Sequence, residues 1–427
     1  MKYNLNDKPG IPHLLMYGLQ WFIVTIPSII IIGIVAGGIS SGDASEQVFY
    51  MQKLFIAMGL ITVVQILWGH KLPLVIGPAS VLLVGIVSAQ SSGAAATYTA
   101  IMVGGALTAL LALSGLLRRI RFLFTSRVIT VILILIAITL SPVILKLIVS
   151  DKPHASFNLI FALLLTLVLV VTNYAMKGVW KSMTIVIGLI GGTVVYSLLK
   201  GFSGFPQAET SIAGFAVSPS SFFFPFNPEF NVGTILAFVF CFIALIINEL
   251  GSIEAVGQML KADRLDRRVK RGTSILGISN LVTGSMGIIG PVDFSMSAGV
   301  IASTQCASRY TLIPAGLALV ACALFPPVIE IFSGVPGVVL GCVMLYLMAT
   351  QFASGLQMLI LEKSIGSFND ALIIALSLMV AMMISFAPQE AFEPFPTLLR
   401  PILCNGFVMG VITVLLLEHL VFRHSKN

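Results

Sequence analysis

Charge is scarce in this 427-residue chain: Asp, Glu, Lys and Arg make up 10% of it, against 57% apolar residues and a mean hydropathy of +1.04. Soluble domains carry about 25% charged residues, so a soluble globular fold is excluded. Cysteine is sparse as well. Cys241, Cys306, Cys322, Cys342 and Cys404 all lie in apolar stretches with no C-x-x-C spacing, the pattern of small buried side chains rather than of a metal site. Histidine is equally thin: His13, His70, His154, His419 and His424 sit near segment ends or in loops. That leaves an intramembrane enzyme without a catalytic cluster. No G-x-x-x-x-G-K-[ST] loop occurs, so ATP is not the expected energy source. The ten-residue alternation of a membrane β-barrel is missing too, as "VITVILILIAITLSPVILKLIV" illustrates. The opening residues do not read as a cleavable signal peptide, because the first apolar run is too long and lacks an A-x-A-like end. No cofactor or metal is expected.

What the chain has instead is a succession of apolar runs of about 18 residues or more, each able to cross a bilayer as a helix. Length and polar punctuation predict about fourteen segments, near 14–37, 50–69, 74–91, 95–117, 124–149, 157–175, 180–199, 232–255, 272–289, 291–306, 310–333, 335–357, 368–388 and 399–421. The expected fold is an all-α, multi-pass membrane protein. With the N-terminus in the cytoplasm, 19 of the 24 Lys and Arg fall inside, the outer five being Lys53, Lys146, Lys152, Lys200 and Arg400. This bias satisfies the positive-inside rule. It accounts for the +7 net charge without nucleic acid, and it puts both termini in the cytoplasm. The longest polar stretch, 200–231, would lie outside, with seven segments before it and seven after. An odd number in each half inverts the second half relative to the first, a common transporter architecture.

The third and tenth segments break the pattern at equivalent places. "GHKLPLVIGPASVLLVGI" (69–86) and "GIIGPVDFSMSAGVIAST" (287–304) each set Pro and Gly at mid-membrane depth before a helical run. Pro78 and Pro291 forbid one straight helix. Non-helical backbone at that depth survives only where protein or a watery cavity satisfies it. Paired interruptions of this kind point to a transporter's binding site.

These residues resemble the nucleobase–ascorbate transporters, also called nucleobase:cation symporters type 2, a family of uracil and xanthine permeases. "YGLQW" in the first segment, "LPLVIGPAS" in the third, "NELGSIEAVGQ" (248–258) in the eighth and "FSMSAGVIASTQCASR" (294–309) in the tenth carry the resemblance. It implies two inverted seven-segment repeats, with a core domain at 14–117 and 232–333 and a gate domain at 118–199 and 334–421. Residues 1–13 and 422–427 would then be cytoplasmic tails. By the same resemblance the substrate lies between core and gate against the broken segments, which are a short strand plus a half-helix. The site residues depart from the family. Its eighth-segment glutamate falls on Asn248, its tenth-segment Gln/Glu and Asn on Met296 and Ser297, its first-segment His on Trp21, and a third-segment aromatic on Ser80.

The expected substrate-binding set is therefore Ser28, Ser80, Asn248, Ser252, Ser295, Met296 and Ser297. Asn248 and Ser252 share a helix face, four residues apart; helix–helix bonding is the plainer role for both. Met296 offers only a weak acceptor, or plain packing. Glu249 and Asp293 are the candidates for coupling, since acids inside a membrane are costly and face a cavity or a partner. Either carboxylate can equally serve to hold loose backbone. Glu254 is expected to pair with the basic stretch 261–271. The function expected is secondary active transport of a nucleobase-like solute, of the uracil or xanthine class, across the plasma (inner) membrane with a coupling proton or Na+. An anion carrier of similar two-repeat fold, or a sensor that binds without transport, are the alternatives. The sequence leaves the oligomeric state open, a homodimer included.

Overall fold

The computed structural model describes residues 1–40, 43–120, 123, 125–149, 152–176, 180, 183–200, 222–294, 296–392, 394–396 and 399–422. The first half runs α1 (Ile11–Ser40), α2 (Ala44–Leu67), β1 (Ile76–Pro78), α3 (Ser80–Ser88), α4 (Gly93–Ser114), α5 (Ser126–Ile148), α6 (Ala155–Ala175) and α7 (Thr184–Lys200). The second runs α8 (Val232–Met259), α9 (Leu265–Ser285), β2 (Pro291–Asp293), α10 (Ser297–Thr304), α11 (Leu312–Ala323), α12 (Pro326–Ser333), α13 (Gly337–Leu361), α14 (Phe368–Ser385) and α15 (Gly406–Leu416), the last ending in a π turn. Among the described residues these elements fall on the fourteen expected segments, and the third and tenth are each a strand followed by a half-helix, as expected. Among the described residues eight helices are long and apolar enough to span a membrane alone; the other crossings are shorter, split or charged at one end.

Local chemistry sets the ends. Thr125 and Asn231 accept from the backbone N–H groups of Val128 and Thr234, capping α5 and α8. Ser367 and Asp370 form a reciprocal capping box on α14. Two expected spans come out in pieces. Residues 310–333 divide into α11 and α12 because Pro326 and Pro327 can start a helix but not continue one. Residues 399–421 begin with a separate turn, Arg400–Leu403, before Asn405 caps α15. The helix expected from 272 begins at Leu265, so the basic stretch 267–271 is helical.

The packing repeats the inversion. α4 lies against α9 in the way α11 lies against α2, and α5 pairs with α13 where the two halves meet. Glycine makes both crossings close. A Cβ on Gly59 of α2 would stand 2.5 Å from the Gly316 carbonyl of α11, and one on Gly105 of α4 would stand 2.5 Å from the Leu281 amide of α9. Small residues are what lets helix backbones meet inside a membrane. The helices α1, α2, α4, α8, α9 and α11 gather around the two broken segments as a core; α5, α6, α7, α13, α14 and α15 pack on one another as a gate.

Candidate functional site

β1 and β2 cross antiparallel at the heart of the core, Ile76 facing Asp293, Gly77 facing Val292 and Pro78 facing Pro291. The facing prolines have no N–H to give. The ladder is completed just outside them: Ala79 N–H donates to Gly290 O at 2.9 Å and Phe294 N–H donates to Val75 O at 2.8 Å. Side chains supply the rest. Asn280 of α9 donates to Pro291 O at 3.2 Å. Ser297 accepts from Val75 N–H at 3.0 Å and donates to Phe294 O at 2.7 Å, stitching α10 to β1. Ser252 of α8 donates to Asp293 O at 3.2 Å, and Glu249 Oε2 accepts from Asp293 N–H at 3.2 Å. Broken backbone in an apolar core is thereby satisfied group by group.

Between core and gate lies a cavity of about 870 Å³, within the range of small-molecule sites. Ser28 of α1, Ser80 at the start of α3, Asn248 and Ser252 of α8, and Met296 before α10 all line it. The structure thus brings together five of the seven expected binding residues, from both halves of the chain. Ser297 does not line it; it is fully buried in the stitch just described. Ser295 lies outside the described residues. Glu249 and Asp293 are fully buried behind the cavity wall. Trp21, at the family's His position, donates to Thr311 Oγ1 at 3.0 Å and anchors α1 to the turn before α11. Glu254 lines the cavity toward the C-terminal end of α8.

Other lining residues went unforeseen. The Phe294 ring packs against Gly77, where an added Cβ would come within 2.4 Å of it, and also lines the cavity. From the gate, α13 contributes Thr350, Gln351 and Ser354. Thr350, Ser354 and Met358 are spaced by four along α13, one helix face, and Glu362 follows at its C-cap. Polar residues on one stripe of an apolar helix were the available signal. Among the described residues, the amides of Asn248 and Gln351 make no hydrogen bond within the protein, so both are open to a solute.

A two-repeat helical fold whose broken segments face a cavity between core and gate defines a membrane permease rather than an enzyme. The chain belongs to the family described as a permease family, whose model matches residues 12–390. The uric acid permease PucJ of Bacillus subtilis is 26% identical over 389 residues, 88% of this chain and 85% of that one. The nucleobase transporter PlUacP of Paenibacillus larvae is 24% identical over 416 residues, 95% and 94% of the two chains. In fold, the chain is similar to the transmembrane domain of a cyanobacterium bicarbonate transporter, BicA, with a TM-score of 0.61 at 16% identity, covering 87% of this chain and 95% of that one.

Proposed function

We propose that the chain is a proton-coupled carrier of a nucleobase-like solute, of the purine (xanthine, uric acid) or uracil class, in the plasma membrane. The observation that carries this is the pairing of an aromatic ring with open amides around one cavity. Phe294 gives a planar base a surface to stack on, while Asn248 on the core and Gln351 on the gate can each donate to and accept from its edge. The similar permeases named above, for uric acid and nucleobases, point the same way. Asn248 replaces a charged acceptor by a neutral one, which favours a solute bound through both donors and acceptors. The bicarbonate carrier of similar fold raises the anion reading. The cavity speaks against it: its described lining contains Glu254 and Glu362 and no Lys or Arg, a poor setting for a negative charge.

We take residues 14–117 and 232–333 as the core that moves against the gate of 118–199 and 334–421. The cavity extends to Ser126, Gln258 and Glu362, at the ends of α5, α8 and α13. By the Lys/Arg distribution these ends are cytoplasmic, which makes this an inward-open form with both termini inside. At the opposite end, the turn Arg400–Leu403 packs on α8 and closes the way out. The test is binding to the purified protein, followed as ligand-dependent thermal stabilisation against uracil, xanthine, uric acid and bicarbonate. A base that stabilises wild type and fails to stabilise Asn248→Ala supports the reading. Stabilisation by bicarbonate alone overturns it.

A further inference from the structure

Alternation along β2 puts neighbouring side chains on opposite sides. Val292 and Phe294 face the cavity. Asp293 points the other way, into a fully buried space it shares with Glu249 and His70. Asp293 Oδ2 lies 3.2 Å from His70 Nε2, within ion-pair distance though outside hydrogen-bond geometry. Among the described residues, neither Asp293 oxygen nor Glu249 Oε1 accepts a hydrogen bond. His70 Nδ1 accepts from Leu72 N–H at 2.9 Å, so the proton of the neutral ring sits on Nε2 and faces Asp293. Two carboxyls and an imidazole with incomplete hydrogen bonding are expensive to bury, and a built cluster of this kind calls for a use.

The charges around the cluster set what it can bind. From α9, Arg268 donates to the carbonyls of His70 and Lys71, both at 3.0 Å, and to Asp263 at 2.7 Å. That last bond holds the loop carboxyl of Asp263 below the usual carboxylate range. From the turn before α11, Arg309 donates to Ile66 O at 2.8 Å. Lys71 follows His70 in the chain, and α8 and β2 bring Glu249 and Asp293. Asp263 and Lys71 offset each other, and Arg309 is occupied at the end of α2. With a neutral ring and both carboxyls ionised, Glu249 and Asp293 would put two negative charges into one buried space. A single proton added to a carboxyl removes one of these charges. The Nε2–H of His70 turned toward the carboxyls is the setting of a proton site.

We propose that His70, Asp293 and Glu249 form one proton site behind the strand pair, and that this site carries the coupling proton. The added proton is held by the carboxyls of Asp293 and Glu249, while the Nε2–H of the neutral His70 ring faces Asp293 Oδ2 and holds it in place. Substrate is felt through β2 itself: Phe294 and Ser252 line the cavity, and Ser252 also donates to Asp293 O. A shift of the strand under the solute therefore changes the His70–Asp293 distance. This rests on the nucleobase reading and assigns its coupling group.

The experiment uses purified protein in liposomes carrying an internal pH dye, with uptake and equilibrium exchange of the best-bound base measured separately. For wild type, uptake rises with an inward proton gradient, the dye reports protons entering with the base, and replacing Na+ by choline changes nothing. His70→Gln and Asp293→Asn each lose gradient-driven accumulation by about tenfold, within the usual range for coupling between two sites, while exchange stays within about threefold of wild type, the scatter expected of a site left intact. Either variant accumulating normally with an unchanged pH profile overturns the proposal. So does wild-type uptake that ignores pH between about 5.5 and 8, the range an imidazole-linked site should span, or that follows Na+ instead. The wild-type measurements decide the matter even where a variant fails to reach the membrane. Failure of every base to bind wild type is a different outcome, and it defeats the nucleobase reading itself.

Discussion

Asn248 is the residue on which the substrate reading turns. It stands on the cavity wall with its amide open, where the resembling family carries a glutamate. Asn248→Ala removes one or two hydrogen bonds to a base and should weaken binding by about tenfold, read as the shift in half-saturation in a scintillation binding assay. Unchanged affinity would take Asn248 out of the site. Arg127 plays a structural part elsewhere. Its guanidinium grips Glu418 with two bonds of 2.8 and 2.9 Å and also meets Asp370, joining α5, α14 and the end of α15. Arg127→Ala strips Glu418, only 5% exposed, of that bidentate partner and should cost about 3 kcal/mol, seen as a clear fall in the thermal midpoint. Arg127→Lys should recover only part of it, since an ammonium cannot reproduce the fork. Full stability in Arg127→Ala would show that the gate does not depend on this pair.

Among the elements, the two glycine crossings make a paired prediction. Gly105→Val drives a side chain into the α9 backbone, and Gly59→Val drives one into α11. Overpacking of this kind costs about 1–3 kcal/mol or more, so both variants should lower the yield of monodisperse protein on fluorescence size-exclusion. Gly191→Ala, where a Cβ meets nothing within 4 Å, should be silent. Equal behaviour of all three would discount the close crossings. The broken segments were legible in sequence because proline and glycine at membrane depth admit few backbones. That Pro78 and Pro291 face each other across a strand pair was not, since pairing is a long-range fact. Asn248 and Ser252 could be put on one face by helical spacing, and the family resemblance turned that face toward the substrate. Ser297 could not be placed: whether a hydroxyl one step past the break turns to solute or to backbone depends on where Val75 comes to rest. His70 was invisible for the same reason. It sits between a helix end and a strand, and only the fold brings it to Asp293. Gln351 and Thr350 were readable in principle, as a polar stripe in an apolar helix.

The whole molecule has two inverted halves and one cavity between core and gate, and the proposed topology opens that cavity on the side rich in Lys and Arg. In a cysteine-free background, Lys363→Cys should be protected from an impermeant thiol reagent on intact cells, and Gln90→Cys should be labelled. The reverse pattern would invert the topology and make the cavity outward-open. The central claim is that this cavity carries a nucleobase, and uptake tests it most directly. Cells lacking their own base permeases, expressing the protein, are offered radiolabelled uracil, xanthine, uric acid and bicarbonate in parallel. The account predicts that at least one base accumulates above the vector control, that unlabelled base competes, that Asn248→Ala abolishes most of the signal, and that bicarbonate does not enter. Bicarbonate uptake with no base entering, or binding of a base with no uptake at all, would contradict it.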